Sequence, residues 1–216
     1  VYLLASPGAE LVGIAATGGN VAVQQVCRNN LALLELCGAT GVPVSKGADG
    51  LARTAENIHG PQGLGYAELP AGTGQLTGSD AAAAWVAAAR EHPGQLIGLA
   101  TGPLTNLALA LKLDPTLPQR IKRIVVMGGA VTCHGNITPA AEFNIAFDPE
   151  AAHVVFTSFK HLLVSDWEAT VAHGLPLEEG VPALHRLRLA SARPCPRLRC
   201  GFWKALFLPS KIQRKP

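Results

Sequence analysis

Residues 121–156 of this 216-residue chain constrain its fold more than any other part: IKRIVVMGGAVTCHGNITPAAEFNIAFDPEAAHVVF. The β-branched run over 121–127 ends at Gly128-Gly129 and predicts a buried strand that closes in a tight turn. Asp148-Pro149-Glu150 predicts a helix start, with an acceptor at the N-cap, proline at the first helical position and an acid in the first turn. Between them lies a loop holding Asn136, Glu142 and Asn144 among small and apolar neighbours. Groups able to grip hydroxyls therefore sit beyond the carboxyl end of a parallel strand. In open α/β sheets that is where small ligands bind.

The same strand-then-helix rhythm runs along the chain. Apolar runs predict strands over 11–16, 42–45, 95–100 and 162–165 besides 121–127. Helices are expected over 21–37, over 80–91 behind a Ser79 cap, from the 101–106 segment through 113, and over 149–158; residues 1–5 read as a final helical turn. In the 21–37 helix the inward face is Val23, Val26, Cys27, Asn30, Leu31, Leu34 and Cys37. Residues 47–78 are Gly-rich with no regular element, the mark of a binding loop or lid. The fold class is α/β, a mainly parallel open sheet flanked by helices and Rossmann-like in its right-handed crossovers.

Charge separates the chain into two parts. The net charge is +3, yet residues 186–216 hold nine of the eighteen Lys/Arg and none of the fifteen Asp/Glu. A mildly acidic body thus carries a basic end. The domain is placed at 1–190, and residues 191–216 read as a basic, Pro-containing tail without a folded role rather than as a nucleic-acid-binding segment. Five cysteines without a CxxC point away from a disulfide framework and toward a reduced, cytoplasmic setting. No apolar run is long enough for a membrane span, and no signal peptide is read at the start.

Strand-end loops bring together Asn20, the 57–60 segment with His59, residues 101–106, and Asn136, Glu142 and Asn144. Amides and one carboxylate suit a neutral polyhydroxylated ligand better than a phosphate. No phosphate-cradling glycine motif, no H-E-x-x-H and no G-x-S-x-G occurs, so nucleotide-phosphate, zinc and serine-hydrolase readings lack support. Taken singly, Asp148 reads as a cap, Asn20 as a turn residue, His134 as solvent-facing and Cys133 as incidental. A carboxylate at Glu142, between Ala141 and Phe143, requires a partner. Asp166-Trp167-Glu168 is balanced between the rim and packing.

Four segments in series carry a resemblance. MGGAVTCHGNITPAAEFNIAFDPEAA resembles the signature region of the inosine–uridine-preferring nucleoside hydrolases. ATGPLTNLA, AATGGNVAVQQVCRNN and NIHGPQGLG are similar to that family's other strand-end segments, in the family's order. The resemblance implies an α/β enzyme that hydrolyses a ribonucleoside to ribose and base, with one calcium ion and homo-oligomeric assembly. It implies that Asn136, Glu142 and Asn144 hold ribose hydroxyls and that Met127 lies against the sugar. Thr101 would offer its backbone carbonyl to calcium, Asn20 would support the site, and His59 would face the base as a candidate catalytic group. The family's aspartate cluster and its late His-Asp pair have no counterpart here, so the chain is expected to be truncated at both ends. Calcium is then expected to bind weakly, with little or no turnover. The alternative expectation is a catalytically dead isoform that pairs with a full-length subunit. A sheet lacking its first strand also exposes apolar surface, at about 25 cal/mol per Å², and is expected to be marginal alone.

Overall fold

The computed structural model describes residues 1–49, 59–65 and 67–174. Asn57, Ile58 and the basic tail lie outside the described residues. A single helical turn, α1 (Tyr2–Ala5), leads to β1 (Ile14–Ala16), α2 (Val23–Leu36) and β2 (Val44–Lys46). Then come α3 (Ala81–Glu91), β3 (Ile97–Ala100), α4 (Thr105–Leu113), α5 (Leu117–Arg120) and β4 (Arg123–Met127). The remainder is α6 (Phe143–Phe147), α7 (Pro149–Ser158), β5 (Leu162–Ser165) and α8 (Trp167–Ala172).

All described strand pairs are parallel, and they form two sheets, β1-β2 and β3-β4-β5. In the second, Gly98, Ile124 and Leu162 lie in one row and Leu99, Val125 and Leu163 in the next. The Ile124 face is covered. Val86 and Ala89 of α3, Leu107, Ala110 and Leu111 of α4, and Ala152 and Val155 of α7 pack with Ile124 and Val126 into the main core. The opposite face is open, with Ile97 at 58 %, Leu99 at 48 % and Leu163 at 50 % exposure. The two-stranded sheet rests on a small cluster of Ala16, Val23 and Cys27.

Several sequence expectations shift in the structure. Strands 1, 2, 3 and 4 begin two or three residues later than their apolar runs, where pairing starts. Helix α3 is capped by Asp80, whose Oδ1 accepts from Ala83 N at 2.8 Å, and not by Ser79. On α2, Val23, Cys27 and Leu34 are buried as expected, Ala32 joins them, and Val26, Asn30, Leu31 and Cys37 are not fully buried. Two three-residue strands offer that helix too narrow a surface to bury a whole face. Residues 136–144 are not one continuous loop, because Asn144 lies within α6 and Glu142 caps it.

Candidate functional site

Glu142 is 2 % exposed. Its Oε2 accepts from Ile145 N at 3.2 Å, which caps α6, and from Gly129 N at 3.0 Å, which fixes the turn after β4. Gly128 lies so close that a Cβ there would come within 3.1 Å of Oε2, so the turn leaves no room for a side chain. Asn144, also buried, donates Nδ2 to the Met127 carbonyl at 3.1 Å and lies 3.2 Å from Met127 Sδ. Exposed Asn136 accepts from Phe143 N through Oδ1 at 2.8 Å. The three residues are thus bonded to one another's immediate surroundings at the end of β4.

Each of them has one polar atom tied and one open. Among the described residues, Glu142 Oε1, Asn144 Oδ1 and Asn136 Nδ2 take no hydrogen bond. One donor and two acceptors remain, a set that matches hydroxyl groups, which both donate and accept.

The neighbouring strand ends come to the same rim. A Cβ on Gly19, beside Asn20, would meet Pro103 at 3.3 Å and the Phe143 ring at 3.8 Å. That places the turn after β1, the loop after β3 and the start of α6 in one neighbourhood. Thr101 and Asn20 are exposed there. Asn106, 5 % exposed, is structural: Nδ2 donates to the Ala16 carbonyl and Oδ1 accepts from Ala48 N, both at 2.8 Å. It ties α4 to the ends of β1 and β2. His59 is exposed at the head of a turn closed by Gly65 N donating to its carbonyl. That turn packs along α2 and its approach: a Cβ on Gly63 would lie 3.0 Å from Val21, and Asn29, midway along the helix, donates to the Gln62 carbonyl.

Two carboxylates carry more of this rim than the sequence signalled. Glu168 of α8 accepts from the backbone N–H groups of Val131, Thr132 and Cys133 and from the Thr132 hydroxyl. The Thr132 N–H and hydroxyl hold the Glu168 carboxyl well below the usual carboxylate range. Loss of hydration, followed by the Glu168 charge, pushes the Cys133 thiol up, away from reactive thiolate. Asp49 accepts from Val23 N at 2.9 Å and supplies the first turn of α2 with the acceptor that its N-cap, Ala22, lacks. Asp148 and Asp166 cap α7 and α8 through Ala151 N and Ala169 N, each at 3.0 Å.

A family model described as inosine-uridine preferring nucleoside hydrolase matches residues 1–205. The chain belongs to that family. It is 44 % identical over 158 residues to uridine nucleosidase 1 of Arabidopsis thaliana, covering 71 % of this chain and 47 % of that protein. Among solved structures it resembles a plant nucleoside hydrolase, PpNRh1, at TM-score 0.72 and 36 % identity, covering 77 % of this chain and 54 % of that one. It also resembles an inosine-guanosine nucleoside hydrolase at TM-score 0.76 and 30 % identity, covering 95 % and 67 %. The chain spans about half the length of the curated relatives it matches. The α/β reading and the family resemblance are both upheld.

Family membership is consistent with a metal-dependent hydrolase. Calcium calls for six to eight oxygen ligands, largely carboxylate and carbonyl. Among the described residues no three His, Cys, Asp or Glu side chains gather as a metal-holding group. One buried carboxylate, amides and backbone carbonyls such as that of Thr101 do not by themselves fit that ion. No described helix is long and apolar enough to cross a membrane.

Proposed function

We propose that this rim holds the ribose of a ribonucleoside, and that the chain contributes the sugar-binding part of N-glycosidic hydrolysis with little turnover of its own. The observation that supports the reading is the trio of open atoms on Asn136, Glu142 and Asn144, set around the end of β4. Ribose hydroxyls would accept from Asn136 Nδ2 and donate to Glu142 Oε1 and Asn144 Oδ1, with Met127 against the ring. Glycoside hydrolysis passes through an oxocarbenium-like state. A buried carboxylate fixed in advance helps most as positive charge develops, because it need not reorganise. Asn20, Thr101 and His59 enter the same reading as flanking groups of sugar and base. The donor set gives no step through calcium, and its affinity is expected to fall far below that of a complete site.

Calorimetry with ribose, inosine and uridine tests this. Weak ribose-directed binding, similar for both nucleosides and lost in Asn144→Leu, is expected. Absence of binding, or hydrolysis at rates typical of intact nucleoside hydrolases, would refute one half of the reading or the other.

A second reading rests on the open face of β3-β4-β5. Parallel sheets are ordinarily covered on both sides, and Ile97, Leu99 and Leu163 are not. The chain would then act as a catalytically silent partner of a full-length nucleoside hydrolase subunit. Co-purification with such a subunit supports it; a monodisperse lone chain in the presence of that subunit counts against it.

A further inference from the structure

Around β4 and β5 the two strand ends differ in charge. Glu142, Asp148, Asp166 and Glu168 follow their carboxyl ends, whereas Arg120, Lys122, Arg123, Lys160 and His161 precede or begin the two strands. At that amino end a groove of about 320 Å³ runs between the approaches to β4 and β5. Lys122, Arg123, Lys160 and His161 line it, with Gln119 and Ser158 as neutral donors. Among the described residues the rest of its lining is proline and apolar, and no carboxylate is among it.

That concentration is not an average of the surface. The described residues hold eight Lys/Arg against twelve Asp/Glu, yet three of those eight share one groove without an acid. The acid next to it is Asp114, and its carboxylate is already engaged. Oδ1 accepts from Thr116 N and the Thr116 hydroxyl, while Oδ2 accepts from Arg90 at 2.9 Å with Arg120 at 4.0 Å. Thr116 and then Arg90 hold its pKa below the ordinary value. Those are the two ion pairs among the described residues. Among the described residues Lys122, Arg123, Lys160 and His161 make no side-chain hydrogen bond or ion pair. A solvated basic face would spread such groups over a convex surface. Here they border one concavity, where like charges raise the local potential and attract a multivalent anion.

We propose that this amino-end groove binds the di- or triphosphate group of a small molecule. Its volume is at the lower end of small-ligand sites and suits a compact polyanion. Strand β4 separates it from the sugar rim by about 13 Å, four rises of roughly 3.3 Å. The inference goes beyond the reading of that rim and does not depend on it.

The test is calorimetry on the full 216-residue chain with pyrophosphate, ATP and adenosine as probes. Pyrophosphate and ATP are expected to bind, and adenosine to give no signal from the groove. If ATP and pyrophosphate bind alike, inorganic polyphosphate suffices as ligand; if ATP binds more tightly, a nucleotide is the source. Binding should weaken several-fold as salt rises from about 50 to about 200 mM. In Lys122→Gln/Lys160→Gln it should become roughly tenfold weaker, as expected on removing two partly screened charges. Lys160→Gln alone, in an exposed connection, serves if the double variant misfolds and should show a smaller loss. Unchanged pyrophosphate affinity in these variants would assign the binding to the basic residues 186–216 and overturn the proposal. So would binding of ATP without binding of pyrophosphate.

Discussion

The three-stranded sheet sets Ile124 and Val126 beneath Leu104, Leu107 and Val155, none more than 2 % exposed. Among the described residues the two-stranded sheet has a smaller cluster, Ala16, Val23 and Cys27 with Val26 against it, and several polar links fix it in place. Asn106 bonds to Ala16 and Ala48, Asp49 to Val23, and Thr73 to Glu35. Apolar burial is non-directional and sums into cooperative stability, whereas single hydrogen bonds fix position and contribute about 1 kcal/mol net each. The three-stranded sheet therefore supplies stability, and the two-stranded sheet is positioned against it. The proposed sugar rim draws buried Glu142 and Asn144 and exposed Asn136 from the stable half and only Asn20 and His59 from the other.

The largest expected effect is on the stable side. Leu104→Ala should cost about 3 kcal/mol in denaturant unfolding, against roughly 2 kcal/mol for Val23→Ala. Equal costs would erase the distinction. Asn106→Leu leaves Ala48 N–H and the Ala16 carbonyl without their partner, at roughly 2 kcal/mol. Its signature is faster hydrogen exchange in β1 and β2 with β3, β4 and β5 unchanged; uniform acceleration would show that the two sheets unfold as one. Asp148→Ala removes the α7 cap and the bond from the Thr105 hydroxyl and should cost about 1 kcal/mol, all within the stable half.

The smallest effect is a pH dependence. Folding depresses the Glu168 pKa, so the stabilisation is complete above the unfolded carboxylate value and lost as pH falls through the folded one. Exchange at the Val131, Thr132 and Cys133 amides should therefore speed up, beyond its intrinsic pH trend, below about pH 4. Glu168→Gln should show that faster exchange already at neutral pH. No difference between the two proteins would mean that Glu168 does not hold the loop.

Local chemistry made much of this legible. Asp148-Pro149-Glu150 and the polar brackets around 162–165 mark α7 and β5 to the residue, because capping and proline act within one turn. Helix α6 escaped because five residues between Pro139 and Pro149 are too few to show a period, and the expected loop hid an N-cap at Glu142. Ser79 and Asp80 can both cap, and the residue adjoining the first helical position prevails. The division into two sheets and the role of Asn106 were not readable, since they depend on partners 58 and 90 positions away. The Glu168 contact with three consecutive amides gives no sequence signal beyond an acid in the first turn of α8. For the candidate site, the residue types and their shared rim were legible; which atom of each is tied and which is open came only from geometry.

Glu142 offers the most direct test. Glu142→Gln keeps an oxygen for Gly129 N and Ile145 N while replacing the open acceptor with a donor. In an amide-resolved uridine titration, the wild-type chain is expected to shift Gly129, Phe143 and Ile145 first, and Glu142→Gln to keep the fold while binding at least about tenfold more weakly. Unchanged affinity in a folded Glu142→Gln chain, or shifts confined to residues away from the end of β4, would contradict a sugar site at this rim.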